Sequence, residues 1–424
     1  MSSRKPRGIA GDKTICLPIE EGIEYDELVQ SPHEYRGYLD KMMEKYPEIF
    51  PVEIEKGYKL QGLVTSKRQK LTTRRIRLTA NKEAYQIRPD FVMPYMSERV
   101  ELAEKALYLK SKGLSYEGIA HVLGKSEKHW YNVCQSLGRI SLVGSTAKRE
   151  ENLPKHLVAD EKHSECQGKK VYIALTAGQG CLWGAGISED AGKEGLGQAY
   201  GEFKEEAKAI SPSYQPLTVT TDGWEATRSV WKSLFEGITL ILCFLHEVLK
   251  IREVCRSKPQ QCQRLCQKLW EVYQGTTKRQ FAQRLRRFLE WVKKQKLSEV
   301  ITAKVRRIHL KSHLFQSALD FPDAYRTSNQ VDRPMNYFDR VLYSMQYFHG
   351  NLTSARLTVR SLALLWNFRP YCHKTRVRKQ GQLSPFESLN GFRYHDHWLR
   401  NLLIASSLNG RRPLSSHRHK LLRN

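Results

Sequence analysis

Apolar residues recur along this chain with two different periods. From Ser97 to about Leu137 they return every three or four positions. Val100, Leu102, Ala103, Ala106, Leu107 and Leu109 cover one broad helical face, which Lys112-Gly113 ends. Ser115 then opens a short helix carrying Ile119, Ala120, Val122 and Leu123. Gly124 supplies a turn, and Ser126 opens a third helix with Trp130, Val133 and Leu137 facing inward. Two short helices across a glycine turn, with Lys125, Lys128, His129 and Asn132 outward, predict a helix-turn-helix that binds DNA. A generic three-helix packing unit is the plainer alternative.

Further on the period changes. Residues 140–155 read as a linker, after which His156–Ala159, Lys170–Ala177 and Cys181–Ile187 predict a three-stranded meander. A helix (about Gly195–Ala209), a strand (Leu217–Thr221), a helix (Ala226–Phe235) and a strand (Ile238–Phe244) follow. The order βββαβαβ predicts an α/β fold, a mixed sheet flanked by helices. From Leu249 to about Leu319 the strand signal stops. Leu265, Leu269, Val272, Tyr273, Phe281, Leu285, Phe288, Leu289 and Val292 keep helical spacing, so an all-α insertion is expected. A further helical region spans Met335–Phe368. Before Ser97 the text says less: a helix over His33–Tyr46, a basic hairpin over Tyr58–Leu78, and prolines that break RPDFVMP. The expected divisions are 1–90, unclear in fold; 91–142, helix-turn-helix; 155–250, first part of the core; 251–325, insertion; 326–370, last part of the core; and 371–424, a basic carboxy-terminal region.

Charge narrows the partner. A formal net charge of +26 would repel itself in a compact chain and favours a polyanion, with nucleic acid first and a ribosome-associated basic protein as the bland alternative. No apolar run approaches the roughly 20 residues of a spanning helix, so no membrane is expected. The start, MSSRKPRGIAGDK, has no apolar core of the kind an export signal needs. Nine scattered cysteines suit a reducing compartment. A cytoplasmic, nucleoid-associated protein is expected.

Two acids stand out. Asp160 closes the first strand (HLVAD) and Asp222 the fourth (LTVTTD), and the topology makes those strands neighbours. Two carboxylates in one cleft repel unless a cation neutralises them, and hard oxygen donors favour Mg²⁺ or Mn²⁺. Two such ions can activate a water or a 3′-hydroxyl and stabilise the leaving oxygen of a phosphodiester. Glu161 competes for the first position, and an Asp that merely caps a turn is the alternative for either.

The order Asp160, Asp222, Cys243-Phe-Leu-His246, a helical insertion and then TSNQVDRPMN resembles the RNase-H-like transposases of bacterial insertion sequences, most of all the Mutator-like group. YFHGNLTSARLTVRSLALLWNFRPY and SPFESLNGFRYHDHWLRNLL are similar to the end of such a transposase, and the resemblance covers roughly residues 90–410. It implies that Asp332 is the third catalytic acid and metal ligand, and that Cys243 and His246 support the site. The group usually has Glu at the third position, and Pro334 follows two residues on, where a helix interior does not suit it. Asp339, Glu247 and Glu253 are alternatives. Cys255, Cys262 and Cys266 are expected to pack in a core, as is Trp366, whereas Trp224 is open to base stacking. Arg356 and Arg360 are candidates for holding phosphates.

The sequence therefore leads to an expected DDE/D transposase. It would bind terminal repeats in double-stranded DNA and use Asp160, Asp222 and Asp332 with two Mg²⁺ (or Mn²⁺) ions for cleavage and strand transfer. Joining two DNA ends implies a homo-oligomer. A transposase-derived DNA-binding regulator with an inactive core is the alternative, and a simple nuclease without strand transfer is a third reading.

Overall fold

The computed structural model describes residues 11–67 and 69–414. Most of the amino-terminal stretch read for an export signal, Arg68 of the basic hairpin and the last ten residues of the carboxy-terminal region lie outside the described residues. The described residues are mixed α/β, with two sheets.

The first sheet consists of β1 (Thr14–Leu17), β2 (Tyr58–Ser66), β3 (Leu71–Leu78) and β4 (Ala84–Pro89), ordered β1-β4-β3-β2. β2 and β3 form the antiparallel hairpin expected over Tyr58–Leu78, while β1 joins β4 in parallel. Helix Pro32–Lys45 packs here. Ser31 starts it, its side chain accepting the Glu34 N–H, and proline occupies the first turn, where no donor is lost.

The second sheet carries β5 (His156–Cys166), β6 (Lys169–Gly178), β7 (Cys181–Ser188), β8 (Thr218–Thr221) and β9 (Thr239–Leu242), ordered β7-β6-β5-β8-β9. β5, β6 and β7 make the antiparallel meander, joined by two Gln-Gly turns in which both residues have positive φ (Gln167 52°, Gly168 73°; Gln179 54°, Gly180 80°). β8 and β9 extend the sheet in parallel. Helices Lys193–Ile210 and Glu225–Leu234 cover the face that buries Leu157, Ala159, Ala174 and Trp183. Helices Asn329–Tyr343 and Leu352–Phe368 cover the other, over Val158, Ile173, Leu175 and Leu182.

Several expectations need correction. β5 runs to Cys166, well past Ala159, because its second half still pairs with β6, so Asp160 sits inside a strand rather than at its end. β9 stops at Leu242, and Phe244 already opens helix Phe244–Val254. Residues 141–147, read as linker, are buried throughout. Leu142 and Val143 occupy cores, and Glu206 accepts the Ser141 hydroxyl and the Val143 N–H. The helical region given as Met335–Phe368 is two helices separated at residues 344–351, and the first begins at Asn329. The carboxy-terminal region is folded too. Trp398–Ala405 buries Leu399, Leu402 and Leu403 in the core shared with β1, and Arg400 grips the fully buried Asp90 at 2.8 and 2.9 Å.

Between 243 and 328 the chain is all helical. Phe244–Val254, Pro259–Tyr273, Lys278–Lys293, Glu299–Leu310 and Ser312–Gln316 bury their own core, in which Cys255 is buried while Cys262 and Cys266 pack partly exposed at its edge. No helix among the described residues is long and apolar enough to cross a membrane.

Lys110 is buried where helix Val100–Ser111 meets the end of Asn329–Tyr343. Its Nζ donates to Leu114 O (3.2 Å) and Ser344 Oγ (3.3 Å) and lies over the Tyr116 ring. Burial pulls its amine from the ordinary 10.5 down to about 8. Between those values the unfolded chain holds a proton that the folded chain lacks, so this group makes stability rise with pH from about 8 upward. Lys110→Met should remove that slope. Urea unfolding at about pH 7 and pH 9.5 should show its stability, relative to wild type, to be greatest at the lower pH.

Candidate active site

Register places the first two acids. His156, Leu157 and Val158 of β5 pair with Thr218, Val219 and Thr220 of β8. Asp160 and Asp222 each lie two residues beyond the last of these pairs, so they stand abreast and share the side-chain parity of Val158 and Thr220. That parity belongs to the face under helix Asn329–Tyr343, since Val158 packs with Val331, Tyr337 and Phe338.

The β8 end is shaped to present Asp222. Its Oδ1 accepts the Trp224 N–H at 2.8 Å, and Gly223 turns the chain at φ 93°. A β-carbon there would meet Leu242 Cδ1 at 2.4 Å, so both conformation and space call for glycine. Trp224 then precedes helix Glu225–Leu234 and lies 5.9 Å from the Tyr172 ring.

Asp332 is carried by helix Asn329–Tyr343, in its first turn, and Pro334 is accommodated with its ring buried. Asp339, seven residues on, shares the Asp332 face of the helix and binds Lys162 at 2.6 Å. Lys162 is two residues from Asp160 on the same face of β5, so this ion pair draws the helix against the strand that bears Asp160. The rivals for the third position are otherwise engaged or turned away: Asp339 by Lys162, Glu247 by Lys250 at 3.0 Å, while Glu253 is exposed.

Cys243 ties these parts together. Its N–H donates to Thr221 O (2.8 Å), beside Asp222, and its Sγ accepts the N–H of Ser328 (3.1 Å), immediately before the helix of Asp332. The thiol thus links the β8 end to that helix, and burial raises its pKa. His246, three residues on, is held below the ordinary imidazole range by burial, against the opposing pull of Asp222 and Asp332. Its Nδ1 is buried with no hydrogen-bond partner.

The electrostatics show which acids share space. Asp160 is pushed up to about 8, first by burial, then by Asp222, Glu161 and Asp332. Glu161 points to the opposite face, where Tyr200 OH (2.8 Å) and Thr227 Oγ1 donate to it, and burial raises it to about 7. Among the described residues no Lys, Arg or His forms an ion pair with Asp160, Asp222 or Asp332. Among the described residues, no group of three His, Cys, Asp or Glu side chains is arranged to hold a metal ion as it stands. Carboxylates without a counter-charge repel, and a divalent cation is the species that would offset this.

No protein-family model matches the chain, and no curated protein matches it in sequence.

The basic candidates separate sharply. Helices Val100–Ser111, Tyr116–Leu123 and Glu127–Leu137 form a three-helix unit, with Ser115 and Ser126 accepting the N–H of Gly118 and His129. Within it, Lys125 and His129 both bind the buried Glu98, the latter at 2.7 Å. Lys128, over the Tyr131 ring, and Asn132 remain exposed. The inner side of the third helix is bolted to Leu352–Phe368: Gln135 Nε2 donates to Ser354 O (2.8 Å) and Ser361 Oγ to Cys134 O (2.5 Å).

Arg360 is a correction. It is buried and donates to Glu202 (2.9 Å), Glu206, Gly138 O and Ile140 O (2.9 Å each), which leaves no phosphate-binding face. The sequence hides this because the two glutamates come from a helix some 150 residues away. Arg356 binds the same Glu202 at 2.7 Å but stays half exposed. Trp366 donates to Gly180 O (3.1 Å) and packs on Tyr337 under Arg369, so it holds the β6–β7 turn.

Arg360→Ala would leave Glu206 without its cation and the buried Glu202 with Arg356 alone, and should cost about 3 kcal/mol. Arg356→Ala removes a half-exposed partner from Glu202, which keeps Arg360, and should cost at most about 1 kcal/mol. Urea denaturation of the two variants side by side measures the contrast.

Proposed function

We propose that this chain is a metal-dependent DNA transposase with an RNase-H-like core, cleaving at transposon ends and joining the freed 3′-hydroxyl to target DNA. One observation carries the reading: Asp160 and Asp222 stand abreast on adjacent parallel strands, and a helix that follows an all-α insertion brings Asp332 into their field.

Asp160, Asp222 and Asp332 fit hard divalent cations, being oxygen donors without a protein counter-charge. Two Mg²⁺ or Mn²⁺ ions held by them would activate the attacking oxygen and neutralise the leaving one. The residues supply the rest. The sheet fixes Asp160 and Asp222, Cys243 and the Lys162–Asp339 pair fix the helix of Asp332, and His246, kept neutral by burial, stands beside Asp222 and Asp332 as a supporting residue. Lys128 and Asn132 are the residues of the third helix available to DNA in a helix-turn-helix arrangement. A homo-oligomer would bring two ends together.

Labelled duplex carrying the element's ends should be nicked at the boundary with Mg²⁺ or Mn²⁺. EDTA should abolish this, and Asp222→Ala or Asp332→Ala should lower the rate by at least about a hundredfold without loss of end binding. End binding without cleavage by wild type would make the chain a transposase-derived DNA-binding protein. Cleavage of duplex lacking any terminal repeat would make it a nuclease.

A further inference from the structure

The insertion is more basic than the rest of the chain. Residues 251–325 contain seventeen Lys and Arg against six Asp and Glu. Part of that charge is neutralised in place, through Lys268–Glu271, Lys278–Asp320 and Arg286–Glu290. Lys304, Arg307 and Lys311 are not paired in this way. At spacings of three and four residues they form one row along helix Glu299–Leu310 and its end, flanking the buried stripe of Ile301, Val305 and Ile308.

The row ends at the acidic cluster. A β-carbon on Gly223, the residue after Asp222, would lie 4.0 Å from Lys311 Nζ. Lys311 nevertheless forms no ion pair with Asp222, so its ammonium stands at the rim of the cluster with its charge unspent. From Lys304 to Lys311 the helix rises about 10 Å, close to the rise of three nucleotides along one strand of duplex at about 3.4 Å each.

We propose that Lys304, Arg307 and Lys311 are a phosphate track that seats the DNA strand entering the acidic cluster, with Lys311 at the phosphate nearest the acids. The insertion would then be part of the substrate site, placing the backbone where the carboxylates act. This rests on the reading of the chain as a DNA-processing enzyme, but its test does not require cleavage.

The experiment is equilibrium binding of a fluorescent duplex to the full chain in EDTA, from about 50 to 200 mM salt. The variant Lys304→Ala/Arg307→Ala/Lys311→Ala is compared with Lys293→Ala/Lys294→Ala/Lys296→Ala, which removes equal charge from an exposed stretch of the same insertion. Each phosphate contact contributes about 0.9 to the slope of log affinity against log salt. The track variant should therefore flatten that slope by about 2–3, and the control should change it by less than about 1. Equal changes in the two variants, or no change in either, would overturn the track. If the triple variant melts early, Lys304→Gln/Lys311→Gln replaces it, with an expected flattening of about 1.5–2. A wild type that binds DNA here yet does not cut it when Mg²⁺ or Mn²⁺ replaces EDTA would count against the enzyme reading, while the slopes alone decide the track.

Discussion

Parallel pairing of β5 with β8 is the constraint on which the rest of the molecule depends, because it sets two carboxylates abreast where neither has a basic partner. A protein of net charge +26 has ample cations to neutralise two aspartates. Here they are used elsewhere: Lys162 on Asp339, Lys250 on Glu247, Arg360 on Glu202 and Glu206. The surrounding pairs hold the scaffold, while burial first, and then Asp222, Glu161 and Asp332, push the Asp160 carboxyl up to about 8.

Holding such a cluster needs support from several directions. Cys243 joins the end of β8 to the start of the helix of Asp332, and the Lys162–Asp339 pair presses that helix onto β5. At the far end of the same helix, Lys110 donates to Ser344 from the three-helix unit, and Gln135 and Ser361 join that unit to Leu352–Phe368. The three-helix unit is thus hydrogen-bonded to both helices that cover one face of the sheet bearing Asp160.

The insertion is tied in the same way. The Phe244 N–H donates to Arg326 O, and the Arg326 guanidinium lies over the Tyr273 ring at 4.2 Å, so the loop leaving the insertion is clasped by a helix within it. Within the insertion so held, Lys311 Nζ comes to the side of Gly223.

Local pattern carried much of this. Helix caps at Ser115 and Ser126, the meander and the two parallel strands follow from short-range periodicity and turn chemistry, and so were legible. Asp160 and Asp222 were legible because strand parity and parallel register are arithmetic once the strands are placed. Within residues 11–90 the helix near His33–Tyr46 and the hairpin over Tyr58–Leu78 were legible, but how this region and 371–414 fold together was not, since the pairing of Arg400 with Asp90 and the packing of Trp398–Ala405 with β1 join the two ends of the chain. Arg360 read as a surface cation for the same reason: its partners are close only after folding. The sequence by itself determined the core faces of the helices at 100–137 and of the meander, and the placing of Asp160 and Asp222 on neighbouring strands. Only the tertiary structure decided which charges are cancelled and which are left to act, because that depends on distances between segments with no local relation.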